Sequence, residues 1–530
     1  MSAWYEKQEW AVVNDVNTFV NVSAIARSRT KVARVAMVSV LARLQSNDYQ
    51  ILGPHLYPEP PIWYHIIPTL VLPAALLIPR TILSRGQNAA VFMPVITAVT
   101  LRAWWEMGGV DVLSVNGLLW ALFLLVLKDP WGDFRYVRDR GRSVRRTVAE
   151  DVGKREVGTG LPSVTGNGNV KEQTTADLQT PLPTTIDHGQ KNVDEGVTEQ
   201  PYPASFLARI PWVYTLLISI RLNNWKISSP SHDKSQPPAP AFPTHRAFAL
   251  QALSSFTLGY VVLDLTSAYI ARDLYFHDPN IPLASPLSLL LGLQPALQLL
   301  PPRLVRTMTI GAQAWALIGQ MFYLPCLLPL ATHYMGWIGD EWSPHNWPPY
   351  FGPSSTILKH GVRGFWGSYW HQTMRFTVSA PGYALADLLG FRAGGTTRYA
   401  VITFTAFALS GLVHTGLVTP EPLNAIVSPH ELRFYVFAFF AVQPVAMLLE
   451  TLFASLVARY GNGLERWRSG NGLKIRKFVN AVWTISWFTL TLGLIGEMGR
   501  QLDWWRYWTV PVSLWKGLRG EGWVAWPVFA

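Results

Sequence analysis

Apolar runs long enough to cross a bilayer recur along this chain, at 62–79, 89–105, 112–127, 247–270, 285–300, 308–332, 400–418, 434–457 and 478–495. A membrane-crossing helix needs about 20 such residues, and the prolines inside several runs are tolerated where neighbouring helices satisfy the freed backbone groups. The pattern predicts an all-α polytopic membrane protein with about nine transmembrane helices. Region 504–528 offers one more candidate. Composition agrees: 15% of residues are charged, against roughly 25% in soluble domains. The 24 tryptophans suit interfacial belts and an aromatic-lined cavity.

Net charge is +11, but it concentrates in particular loops and so reads as membrane topology. No basic stripe alternates with exposed aromatics, so nucleic acid is not an expected partner. Cys326 is the single cysteine, which excludes an internal disulfide, a Cys-rich zinc site and Cys-x-x-Cys redox chemistry. No metal site is expected. The N-terminal segment carries Glu6, Lys7 and Glu9 and has no compact apolar core of the secretory type.

Four regions follow. Residues 1–61 form an N-terminal region expected in the lumen, in keeping with the sequon Asn21-Val22-Ser23. Residues 62–128 hold the first three helices. Residues 129–245 form a polar cytoplasmic loop, basic at its start and poor in aromatics over 158–203, where disorder is expected. Within it, 206–222 is apolar between Arg209 and Arg221, which suits a helix lying in the interface. Residues 246–530 form the core.

Basic loops at 128–155 and 459–477 mark the cytoplasmic side. The count then conflicts. Forward through three runs from 247, His333 falls in the lumen; backward from Arg459, Arg398 falls in the cytoplasm. Either 285–300 enters and leaves on one side, or another segment, with 374–390 the candidate, crosses between His333 and Arg398.

Of 12 histidines, only His414 and His65 lie well inside apolar runs. An imidazole in hydrocarbon needs a partner, a water-lined cavity or a substrate. Forty-three positions before His414 comes His371, in Gly364-Phe365-Trp366-Gly367-Ser368-Tyr369-Trp370-His371-Gln372. Segment 364–380 reads as an amphipathic helix, with Trp366 and Trp370 sharing a face and His371 and Arg375 sharing another. Upstream, 346–353 is a proline-rich turn that sets the entry angle. Ser410 stands one turn before His414, and Gly411 permits close helix packing. Two histidines of this kind suggest acid–base chemistry at a bilayer-buried site.

The first motif, ending Tyr369-Trp370-His371-Gln372-Thr373-Met374-Arg375, and the second, Ser410-Gly411-Leu412-Val413-His414, together resemble the wax synthase branch of the membrane-bound O-acyltransferase superfamily. More narrowly, the chain is similar to fungal wax-synthase-domain proteins, some of which acetylate hydroxyls of terpenoid products. Sterol and diacylglycerol acyltransferases end the first motif in Trp-Trp-Asn, where this chain has Tyr369-Trp370-His371. The resemblance is strongest over 347–414.

It implies a helical bundle with an internal tunnel, in the endoplasmic reticulum, where acyl-coenzyme A (acetyl-coenzyme A by preference) meets a hydrophobic alcohol without further cofactor. Lipid is then a partner, and self-association is left open. His414 would take the hydroxyl proton as a neutral base. His371 would donate to the thioester oxyanion or position the donor. Trp366 and Trp370 would line the pocket, Gln372 orient His371, Arg375 meet a coenzyme A phosphate and Ser410 border the substrate.

Other readings stand beside these. His414 as a structural imidazole, Arg375 as a snorkelling side chain, and the tryptophans and Ser410 as packing residues are the plain ones. Long-chain wax-ester synthesis is the alternative within the family. A proton-coupled transporter, with His414 and Asp264 as relay groups, is the alternative of another class, although no internal hydropathy repeat is visible.

Overall fold

A computed structural model describes residues 62–106, 109–139, 197–219, 221–222, 224–227, 242, 244–287, 300–339, 342–344, 347–419, 426–460, 470–506 and 508–525. The expected luminal segment 1–61 and most of the loop expected to be disordered lie outside these residues. Five described helices or helix pairs are long and apolar enough to cross a membrane: His245–Ile270, Pro302–Tyr334, Thr396–Thr415, Pro429–Val457 and Gly470–Gln501. The runs at 62–79, 89–105 and 112–127 are also helical, but shorter or less apolar, as α1 (Ile62–Leu77), α2 (Arg85–Glu106) and α3 (Val112–Ala121). α3 continues as a wide π turn over Leu122–Leu127.

Between α3 and the core comes structure that an all-helical pattern does not include. Strand β1 (Phe134–Asp139) pairs antiparallel with β2 (Val197–Gln200) on one side and β3 (Trp225–Ile227) on the other. Their side chains join the core beneath α1: Phe134, Tyr136 and Trp225 pack with Trp131, Trp212 and Leu216. Trp212 and Leu216 belong to α4 (Phe206–Ile218), whose opposite face exposes Phe206, Leu207, Ile210 and Tyr214. Arg209, within α4, is buried and donates to the Leu77 and Pro203 carbonyls at 3.2 and 3.0 Å.

α5 (His245–Ile270) and α6 (Pro302–Tyr334) form an antiparallel pair. The register reads off successive contacts. His245 meets His333 at 2.7 Å, Gln320 Nε2 donates to the Phe256 carbonyl at 2.6 Å, and Ile270 packs with Ile310. At the far end Arg306, fully buried, forks onto Asp273 with two bonds of 2.8 Å. That bidentate geometry and the added carbonyl acceptors Leu283 and Ser285 compensate two desolvated charges. Because α5 leaves and α6 re-enters at one end of the pair, the chain between Ile270 and Pro302 makes no net crossing. Most of the run 285–300, on which the conflict in the topology count turns, lies outside the described residues.

Three more long elements complete the core: α9 (Thr396–Thr415), α10 (Pro429–Tyr460) and α11 (Gly470–Thr491), the last continued by α12 (Gly493–Gln501). α7 (Ser355–Gly364) and α8 (Arg375–Leu388) lie among them. α10 exposes Val445, Leu449, Leu452 and Leu456, and α11 exposes Ile475, Val479, Val482 and Ile485. Spacings of three and four place each set on one stripe, the face such helices turn to lipid. Opposite it, Val436, Phe439 and Phe440 of α10 pack with Phe488 and Met498, beside the segment that carries His371.

Candidate active site

The segment 364–380, read from sequence as one amphipathic helix, is broken. α7 runs into a π turn over Phe365–Tyr369 and stops at Trp370, whose backbone is extended at φ −63°, ψ 154°. A helix resumes only at Arg375. His371 therefore sits in a non-helical gap, and it does not share a helical face with Arg375. The break is stable because its carbonyls have donors. Gln372 Nε2 donates to the Trp366 and Trp370 carbonyls at 3.0 and 2.6 Å, and the Gly352 N–H donates to the Tyr369 carbonyl at 2.8 Å. A side chain at position 352 would collide with the Ser368 carbonyl, so the proline-rich turn needs glycine to come this close.

Gln372, expected to orient His371, has its Nε2 on these two carbonyls and its Oε1 3.4 Å from the Arg375 guanidinium. The partner of His371 is Thr373, with Nδ1···Oγ1 at 2.8 Å. The His371 ring stacks on Tyr350 at 5.8 Å and 15° and meets Trp370 at 5.6 Å. Tyr350 in turn lies against Arg221, whose guanidinium donates to the Pro349 and Tyr350 carbonyls at 2.7 and 2.6 Å. Sequence reading used Arg221 only as the flank of an interfacial helix; nothing in its local pattern signals this distant contact.

His414 occupies the last turn of α9. Its Nδ1 lies 2.7 Å from the Ser410 carbonyl. A carbonyl can only accept, so Nδ1 carries the proton, and in the neutral ring the lone pair belongs to Nε2. The Ser410 backbone, rather than its hydroxyl, thus sets the tautomer. The ring stacks on Phe440 of α10 at 4.1 Å and 27°. Gly411 lets the two helices approach: a Cβ there would come within 3.1 Å of Phe437 and 3.3 Å of the Phe440 Cβ.

An unbroken chain of ring contacts joins the two histidines. Phe440 meets Trp366 at 6.1 Å, Trp366 meets Trp370 at 6.1 Å, and Trp370 meets His371. Burial lowers the pKa of His371 to about 3, and charges on His414 and Arg221 would act in the same direction. His371 is therefore neutral at physiological pH, close enough to His414 to feel its charge. Trp366 is fixed by donation from Nε1 to Gln443 at 3.1 Å. Arg375 is exposed, with its guanidinium 3.4 Å from both the Gly367 carbonyl and Gln372 Oε1.

Two other residues change standing. Asp264, the second relay group of the transporter reading, is 2% exposed and accepts from Trp508 Nε1 at 3.0 Å and the Trp515 N–H at 2.8 Å. Both oxygens have structural partners. Gln443 and Glu450, by contrast, passed unremarked inside the run 434–457, although polar groups there are the kind of signal that marks function.

Residues 347–440 match the membrane bound O-acyl transferase family, a stretch that holds both histidines and the break between them. The likeness to this family is shown for that stretch. Similar proteins are fungal. An acetyltransferase of Arthrobotrys oligospora is 31% identical over 28% of this chain and 33% of its own length. Acetyltransferase ple2 of Rhodocybe pseudopiperita is 29% identical over 40% of this chain and 49% of its own. Acetyltransferase fsoF of Humicola fuscoatra is 26% identical over 54% of this chain and 67% of its own. The chain thus spans a third to a half of the length of the first two relatives. No solved structure matches it. The five apolar helices, together with the match to a membrane-bound family, support an integral membrane protein.

Proposed function

We propose that this protein is a membrane-bound O-acyltransferase that transfers an acetyl group from acetyl-coenzyme A to the hydroxyl of a hydrophobic acceptor of the terpenoid type, in the endoplasmic reticulum membrane. The observation that carries the reading is the tautomer of His414. With Nδ1–H held by the Ser410 carbonyl, Nε2 is the basic atom, supported by a ring stack on a rigid helix. An alcohol near pKa 16 is a weak nucleophile until a base takes its proton as attack proceeds.

In this scheme the acceptor oxygen bonds to the thioester carbon while its proton passes to His414 Nε2. The C–S bond then breaks, and the coenzyme A thiolate takes the proton back from the imidazolium. Each turnover leaves His414 neutral, and no covalent enzyme intermediate forms. His371, neutral and stacked on Tyr350, donates a hydrogen bond to the thioester oxygen as negative charge develops there. Trp366 and Trp370 form the wall between the two imidazoles, along which the acyl group and acceptor lie. Ser410 borders that wall, Gln372 keeps the break open, and exposed Arg375 meets a coenzyme A phosphate at the mouth.

Acetyl as the acyl group is favoured by relatives that carry the name acetyltransferase. The test is release of free thiol from acyl-coenzyme A by membranes holding the full chain, with and without candidate alcohols. Alcohol-dependent release with acetyl-coenzyme A is expected. Release only with long-chain donors would replace this reading by wax-ester synthesis, and none with any donor would sink it.

A further inference from the structure

Gln443 and Glu450 of α10 stand seven positions apart and so on one face of the helix. Gln443, fully buried, accepts from Trp366 Nε1 at 3.1 Å and Trp487 Nε1 at 3.0 Å, and donates to the Phe439 carbonyl at 2.8 Å. Glu450 Oε1 accepts from the Val362 N–H at 2.7 Å and Trp483 Nε1 at 2.8 Å, while Oε2 accepts from the Arg363 N–H at 2.9 Å. Trp483 and Trp487 stand one turn apart on α11. Each polar residue thus ties one point of the His371-bearing segment to one tryptophan of α11.

The Glu450 contact exists because the helix before it is interrupted. Gly361 takes φ 62°, ψ −137° inside α7, a left-handed φ that favours glycine. The interruption starts a new helical stretch at Val362, whose first N–H groups have no partner of their own. A carboxylate is the strongest acceptor for two such groups, and it also meets the positive end of the new stretch. The fit is close: a Cβ on Gly361 would collide with Glu450 Oε1. Burying a carboxylate for packing alone would be costly; three donors on two oxygens offset that cost and fix the position of the backbone they come from.

That backbone leads directly to the chemistry, running from Val362 through Trp366 to the gap at His371. On the same helix as Glu450, Phe440 stacks against His414. α10 is therefore the common reference for both imidazoles. We propose that Glu450 is a positioning residue for acyl transfer: by clasping the helix break at Gly361 it sets the depth of Trp366 and His371 relative to His414. The proposal rests on the acyltransferase reading above.

The test uses the full chain in membranes, measuring kcat and KM for donor and acceptor beside the thermal midpoint of each variant. Glu450→Gln keeps the shape but offers one acceptor oxygen and an amide that cannot accept from an N–H. A roughly tenfold or larger fall in kcat with KM nearly constant is expected, as for displaced reacting groups. Glu450→Gln should also be non-additive with Gly361→Ala, because both open the same clasp. Wild-type kcat in a folded Glu450→Gln variant overturns the proposal, as does full additivity. Should that variant not accumulate folded, Trp483→Phe removes one of the three donors and carries the test. A fall in kcat of about twofold to fivefold at constant KM supports the clasp, and an unchanged kcat overturns it. Wild-type chain inactive with every alcohol would instead refute the underlying reading, so the two failures are distinguishable.

Discussion

The two histidine-bearing segments solve the same problem in opposite ways. His414 rides on α9, a continuous helix that satisfies its own backbone, and the Ser410 carbonyl one turn back fixes its tautomer. His371 sits in a gap whose backbone is satisfied only by distant groups: Gln372, Gly352 and, through the preceding stretch, Glu450. A regular helix gives a base a fixed height and direction. A break allows a ring to project where no helical side chain could, among Tyr350, Trp370 and Thr373. Buried backbone groups freed by such a break must each find a partner, and here those partners come from elements far apart in the chain.

If this division of labour is right, the largest effect belongs to the continuous helix. His414→Ala should lower kcat by about a hundredfold to ten-thousandfold, the range for loss of a general base. The thermal midpoint should stay close to wild type, and thiol release in membranes measures the loss. Activity within threefold of wild type would reduce His414 to a packing residue.

The next effect sharpens the contrast between the proposed base and the proposed donor. His371→Ala should cost about a hundredfold in kcat, as removal of one oxyanion donor does. His371→Asn should recover a good part of it, because an amide still donates a hydrogen bond. Sterol and diacylglycerol acyltransferases carry Asn at the matching position. His414→Asn should recover nothing, because an amide is no base. Equal behaviour of the two asparagine variants would erase the distinction between the segments.

The same contrast explains what could be read from the sequence. α9 and α10 were legible because a helix in hydrocarbon follows from composition and length, and His414 stood out against its apolar run. The break was not, because Trp366 and Trp370 keep helical spacing while the groups that hold the gap open come from elsewhere. Gly352 lies in the preceding turn and Glu450 is on another helix. The small sheet escaped for a related reason: β1 pairs with strands beyond a long polar stretch, and each strand is short. Asp264 and Glu450 show the limit of reading buried charge. Both are carboxylates in apolar runs, yet Asp264 anchors Trp508 and the Trp515 backbone, whereas Glu450 grips the break. Only their partners tell them apart.

A smaller effect tests the break as structure. Gln372→Ala removes the donor shared by the Trp366 and Trp370 carbonyls, and loss of a buried donor costs about 1–3 kcal/mol. Thermal unfolding in detergent should show that loss, and kcat should fall with it. Because α9 keeps all its own bonds, Ser410→Ala should leave stability almost unchanged: the Ser410 carbonyl, which holds His414, survives the substitution.

The smallest effect concerns acid. Burial holds the His371 pKa near 3 in the folded protein, with the Arg221 charge pushing the same way, while an unfolded histidine titrates near about 6.5. Below that value the unfolded chain binds a proton that the folded chain refuses. The contribution of a neutral His371 is thus complete above pH of about 6.5 and is lost progressively as pH falls toward 3. His371→Gln cannot titrate, so the wild type should lose stability faster than this variant across that window. Parallel curves would mean that the His371 ring is hydrated in the folded state, and a hydrated gap would leave the proposed oxyanion donor competing with water for its own hydrogen bond.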